Sequence, residues 1–174
     1  MTDIATLIHS RIAPGRLLDR AEMAALARTI GEVPQLWRPY TRYDRNERHF
    51  FQLYRNPSVD VWLLCWDNAQ DTGYHDHDRS AGAVYVCEGT LCEDSFFREP
   101  DGWVRERTRE HEAGGGFDFP PAHIHGVRHA GGPPAASIHV YSPALWRMGH
   151  YHYDTDGIMG RVSITYADEL AENA

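Results

Sequence analysis

The sequence predicts a mainly β fold, a small β-barrel of the jelly-roll kind preceded by short helices. From Arg48 onward, β-branched and aromatic residues come in short runs punctuated by Asn56-Pro57, Asp71-Thr72-Gly73, Glu99-Pro100-Asp101-Gly102 and Gly114-Gly115-Gly116, the pattern of an antiparallel meander. A helical pattern precedes the meander, and no repeat or low-complexity segment interrupts it. At 174 residues, 42% of them hydrophobic, the chain is the length of one domain with one core. The expectation is therefore a single unit over 1–174, with a helical segment over 1–35 packed on a barrel that closes its sheet around a ligand-sized interior.

In chain order, residues 2–11 place Ile4, Leu7 and Ile8 on one helical face, and residues 20–30 do the same with Met23, Leu26, Ala27 and Ile30. Asp19 stands where a capping carboxylate would accept the first free N–H groups of the second helix. Two short helices should thus cover one side of the domain. An apolar strand ends at Cys65-Trp66, a second runs from Asp78 to the Glu88-Gly89-Thr90 turn, and a third spans Ala135 to Tyr141.

The net charge of −8, without a clustered basic stripe, argues against nucleic acid and anionic membranes as partners. The first 20 residues carry charges and a Pro-Gly pair rather than a long apolar core, so neither a signal peptide nor a membrane span is expected, and the cytoplasm is the expected compartment. Cys65, Cys87 and Cys92 are an odd set without metal-finger spacing and read as buried or inert thiols.

His75-Asp76-His77 carries the chemistry. Histidines at i and i+2 of an extended segment point to one face, so both imidazoles reach one metal ion, and His125 on a returning strand would complete a face of ligands. Three ligands leave coordination positions open, which is the arrangement of a reactive centre rather than a closed structural one. Imidazole suits Fe(II), Zn(II), Cu or Ni, so the histidines alone do not name the metal. A ligand imidazole needs its second nitrogen held. Asp76 and Asp78 are the nearest carboxylates, although alternation turns Asp76 away and a turn or solvated position suits both. His123, His129, His150 and His152 read as ordinary histidines, the His150-x-His152 pair having no evident third partner.

Several motifs in order resemble the cupin barrel and, within it, the cysteine dioxygenase family. The second cupin motif appears as Gly114-x5-Pro120-x-Ala122-x2-His125-x3-His129, with spacing intact and the motif's glycine and asparagine replaced. In the first motif the slot for a glutamate ligand falls at Ala81 or Gly82, while Gly89 holds its place. Three histidines without a carboxylate, followed by Ser137-Ile138-His139-Val140-Tyr141-Ser142-Pro143, make the family pattern, and the resemblance covers about residues 53–143. It implies Fe(II) held by His75, His77 and His125. It also implies Tyr141 presenting its hydroxyl to substrate and O2, with His139 and Ser137 hydrogen-bonded behind it. The reaction implied is addition of both atoms of O2 to a small thiol, giving a sulfinic acid, in a monomer or small homo-oligomer. A cupin that captures a ligand without turnover is the competing class.

Two departures from the family stand out. The position from which animal members cross-link a cysteine to the tyrosine is Gly82, as in bacterial relatives. The arginine that pairs with the carboxylate of cysteine aligns with Phe50, and a phenyl ring cannot replace a bidentate guanidinium. Arg48, Arg55, Arg79 and Arg147 remain as other anchors, Arg48 and Arg55 if the alignment shifts. A pocket drawn from Phe50, Phe51, Trp62, Tyr74, Tyr85 and Trp146 would favour a larger thiol or one bearing a quaternary ammonium, an attraction of roughly 0.5–2 kcal/mol. Ergothioneine, a thiol-imidazole betaine, is the leading expectation. Cysteine is the alternative.

Overall fold

The computed structural model describes residues 3–98, 104–156 and 159–165. Two helices come first, α1 (Ile4–Arg11) and α2 (Arg20–Gly31), followed by a short turn of helix, α3 (Pro34–Trp37), and a 3-10 turn over Arg38–Tyr40. Both long helices start as their sequences require. Asp3 accepts from the Thr6 N–H at 2.7 Å, and Asp19 and Glu22 form a reciprocal capping box.

The strands are β1 (Phe50–Arg55), β2 (Asp60–Trp66), β3 (Tyr74–Asp76), β4 (Ala81–Glu88), β5 (Thr90–Arg98), β6 (Val104–Glu112), β7 (Gly116–Phe119), β8 (His125–His129), β9 (Ala135–Ser142), β10 (Arg147–Tyr153) and β11 (Met159–Thr165). They form a five-stranded sheet, β1-β2-β9-β4-β7, and a six-stranded sheet, β11-β10-β3-β8-β5-β6. Neighbours pair antiparallel throughout.

The first sheet is buried on both faces, which explains why its strands read as continuous apolar runs. Outward residues Val61, Leu63, Cys65, Ala83, Ile138 and Val140 pack with Met23, Leu26, Ala27 and Ile30 of α2. Inward residues Trp66, Val86 and Ala135 meet Leu91 and Val127 of the second sheet. The helices therefore cover one face, and the interior between the sheets is left to the site. Cys65 and Cys92 are buried, Cys87 is half-buried, and none is in a disulfide. Burial pushes the Cys87 thiol up to about 12, so it stays protonated and unreactive at neutral pH.

Candidate active site

Alternation turns Trp62, Leu64 and Trp66 of β2, and Ser137, His139 and Tyr141 of β9, toward the interior. In the second sheet, His75 stands directly opposite His125 of β8 on one side and His150 of β10 on the other. Cross-strand partners project from the same face, so this rung turns three imidazoles inward. His77 lies just past the end of β3, where its carbonyl accepts the Ser80 N–H at 3.0 Å.

His75, His77 and His125 meet with one ring nitrogen of each within 4.8 Å of the others, and all three are buried. His75 Nδ1 lies 3.1 Å from the Gly73 carbonyl and His125 Nδ1 lies 3.0 Å from Glu93 Oε1. Those acceptors place the ring protons on Nδ1 and leave the two Nε2 lone pairs facing the cluster. His125 Nε2 and both nitrogens of His77 are buried without a hydrogen-bond partner among the described residues, a condition that buried polar atoms seldom tolerate. Burial and the neighbouring imidazoles push His75 and His77 well below the ordinary histidine range, and burial outweighs Glu93 in lowering His125. Neutral, converging lone pairs fit a divalent cation.

Glu93 is 5% exposed and sits among His125, His123 (3.5 Å) and His111 (3.9 Å). Burial opposes its charge, but these imidazoles outweigh it and hold the carboxyl below its usual range. Glu93 is thus the group that orients His125, a role the sequence could not assign because the β5–β8 register brings it there. Asp76 does something else. It accepts from Arg161 at 2.7 and 2.9 Å and from Tyr151 at 2.6 Å, on the outer side of β3. Asp78 sits in the turn after His77 in a left-handed conformation, φ 52°.

Behind the cluster, Trp66 Nε1 donates to Ser137 Oγ (2.9 Å), Ser137 Oγ lies 2.8 Å from His139 Nε2, and His139 Nδ1 lies 3.3 Å from the Tyr141 hydroxyl. With Trp66 donating to one lone pair of Ser137, the serine hydrogen is directed at Nε2. The histidine proton then sits on Nδ1, pointing at the tyrosine oxygen. Burial and the nearby His125 and Arg48 lower His139 to about 3, so it is neutral, as this chain requires. The Tyr141 ring lies 4.9 Å from that of His77.

A cavity of about 100 Å³ opens here, walled by Phe50, Trp62, Leu64, Val127, Leu145 and Met148 and by the polar groups Arg48, Thr72, His75, His125, His139, Tyr141 and His150. Phe50 and Trp62 stand edge to face, 5.6 Å apart. The remaining residues expected at the substrate lie elsewhere. Tyr74 is on the opposite face of β3 from His75, its ring 4.8 Å from Phe96. Arg55 pairs with Asp60 and donates to the Leu145 carbonyl. Arg79, which is exposed, lines a second hollow with Arg55, Trp146, Arg147 and the candidate ligand His77. Alternation accounts for the position of Tyr74, and the Asp60 partnership for that of Arg55. Arg48 enters the cavity instead, donating to the Asp71 carbonyl with its guanidinium 5.2 Å from the Trp66 ring. His150, read from sequence as ordinary, lines the same wall.

Known proteins resemble this chain. Residues 2–154 match the family model "Cysteine dioxygenase type I". Human cysteine dioxygenase type 1 is 26% identical over 153 residues, 82% of this chain and 74% of that protein. The rat protein is 28% identical over the same span. A cupin superfamily protein from Desulfitobacterium hafniense, 8% identical, superposes with a TM-score of 0.51 over 61% of this chain and 86% of that one, a likeness of fold alone. The match across most of the chain, together with the converging histidines on a double-sheet barrel, places the protein in the cysteine dioxygenase type I family of thiol dioxygenases.

Proposed function

We propose that the protein adds both atoms of O2 to the sulfur of a small thiol, with His75, His77 and His125 holding Fe(II). The sulfur gives up four electrons in passing from thiol to sulfinate and O2 takes up four, so no other reductant is needed. The observation that carries this reading is the set of buried, neutral imidazoles whose inward lone pairs converge beside a cavity of substrate size. Bound there, Fe(II) would supply a Lewis-acidic centre that favours thiolate over thiol and brings sulfur and O2 together.

The chain's own groups do the rest. Tyr141, with its oxygen accepting from His139, gives its hydrogen to a group in the cavity. The Phe50, Trp62 and Leu145 wall excludes water, which strengthens each polar contact inside. Arg48 supplies the cation that the Phe50 substitution takes away, so the preferred substrate is a small thiol bearing a carboxylate, and the modest cavity volume brings cysteine and mercapto acids forward. The Phe50–Trp62 pair supports the second reading, ergothioneine, whose quaternary ammonium would lie against aromatic faces and whose carboxylate would reach Arg48.

The test is O2 consumption by Fe(II)-loaded, anaerobically purified protein with cysteine, 3-mercaptopropionate, cysteamine, mercaptosuccinate and ergothioneine, the products weighed by mass spectrometry. A product heavier by two oxygens, lost in His125→Ala, is expected. Oxygen uptake with none of these thiols would move the protein to the ligand-capturing class.

A further inference from the structure

Most polar side chains on the cavity wall already have an assignment. His75 and His125 are candidate ligands, and both ring nitrogens of His139 are engaged by Ser137 and Tyr141. Thr72 is committed to the backbone, donating to the Gly73 carbonyl at 2.8 Å and accepting the Val127 N–H at 3.0 Å. Arg48 is assigned to a carboxylate. His150 is the polar group on this wall that the reaction has not used.

Its inward position is built into the sheet. In the β10–β3 ladder His150 is the Cα partner of His75, which in turn partners His125, so the register holds the three imidazoles on one rung facing the cavity. The His150 and His75 rings are 6.2 Å apart and inclined by 29°. His150 is nevertheless outside the group whose nitrogens lie within 4.8 Å of one another, which makes it a neighbour of the ligand set rather than a member. Arg48, His150 and His75 line the same cavity.

The remaining walls are apolar, and there an anionic group without a partner is strongly disfavoured. An imidazole N–H offers a carboxylate a charge-assisted hydrogen bond at such a place. We propose that His150 is a substrate-anchoring residue and that the site takes small thiols carrying two carboxylates, one received by Arg48 and the other by His150. This rests on the thiol dioxygenase reading and names the substrate class within it.

The matched probes are 3-mercaptopropionate and mercaptosuccinate, which differ by one carboxylate on the carbon that bears sulfur. Wild-type protein should show the higher kcat/KM with mercaptosuccinate. In His150→Ala the ratio of kcat/KM for mercaptosuccinate to that for 3-mercaptopropionate should fall about tenfold or more, and His150→Gln, whose amide still donates, should recover part of it. The same ratio in wild type and His150→Ala would overturn the proposal, as would a wild-type preference for 3-mercaptopropionate. Iron content in His150→Ala well below that of wild type would also overturn it, by assigning the residue to the metal. Anaerobic binding of the two thiols, read from tryptophan fluorescence because Trp62 lines the cavity, separates this proposal from the reaction. His150-dependent preference for mercaptosuccinate without O2 uptake would sink the dioxygenase reading and leave the anchor standing.

Discussion

At the scale of single residues, the site depends on which nitrogen of each imidazole carries the proton. The Trp66–Ser137–His139–Tyr141 chain delivers a hydrogen bond to the tyrosine oxygen, and Tyr141→Phe removes the hydroxyl while keeping the ring against His77. Its turnover should fall by about 10²-fold or more, with thiol affinity nearly intact. A ligand-capturing cupin would show no activity to lose, so steady-state kinetics beside anaerobic titration distinguish the two. Glu93→Gln tests the hold on His125. The amide keeps the size but lacks the charge that favours His125 Nδ1–H, and metal affinity should drop about 10- to 100-fold in competition with a chelator. An unchanged affinity would mean that packing alone positions the ring.

Among the strands, β3 is only three residues long, yet it carries His75 and sets His77 just past its end. Asp76 clasps it to its neighbours by accepting from Tyr151 on β10 and Arg161 on β11. Burial pushes the Asp76 carboxyl up, but Arg161, Tyr151 and the Asp78 N–H outweigh it and hold the group down at about 2. Because the folded value is depressed, the stability it contributes is complete above the unfolded value of 3.8 and is lost as pH falls from there to about 2. Arg161→Ala should destabilise by about 2 kcal/mol at neutral pH, less than for a fully buried pair because Arg161 is a third exposed. The difference from wild type should vanish near pH 2, as urea melts at several pH values would show. Gly82 on β4 belongs to the same scale. A Cβ there would stand 2.3 Å from Phe119 Cζ and 3.1 Å from Tyr141 Cδ1, so Phe119 fills the space that a side chain at 82 would occupy. Gly82→Cys should destabilise by about 1–3 kcal/mol through overpacking, part of it relieved by adding Phe119→Leu. Equal melting temperatures for the single variant and wild type would refute the account.

For the molecule as a whole, burying His75, His77 and His139 uncharged makes the metal-free fold sensitive to acid. His139 is lowered from 6.5 to about 3 by burial, and His75 and His77 are also well below 6.5. The unfolded chain takes up protons near 6.5 and the folded one does not. The stability tied to these groups is therefore complete above pH 6.5 and declines as pH falls toward 3. Metal-free protein should melt at progressively lower temperature from pH 7 to pH 4. A divalent ion at 100 times its Kd should add about 2.7 kcal/mol at neutral pH and progressively less in acid, where protons compete for the ring nitrogens. Calorimetry with and without metal checks both. A flat profile for the metal-free protein would show that the imidazoles are not held neutral. Within the described residues no helix is long and apolar enough to cross a membrane.

The elements were legible in the sequence because their causes are local. Asp19 announces the start of α2, the apolar runs of β2 and β9 announce strands, and His75-x-His77 shares a face by alternation. Motif spacing then added His125 and the Ser137-His139-Tyr141 strand. What chain order does not contain is register. The β5–β8 pairing sets Glu93 beside His125, and the β10–β3 pairing turns His150 onto the rung of His75. The folding of the segment before β1 carries Arg48 to the cavity, while Asp60 takes Arg55 away. Apart from the Arg55–Asp60 contact across the β1–β2 turn, each of these joins residues far apart in the chain, and which strands pair, and at what offset, follows from how two sheets and α2 bury their faces together. The amino-acid sequence thus determined the fold and the histidine cluster, and the tertiary structure decided which charges surround the substrate.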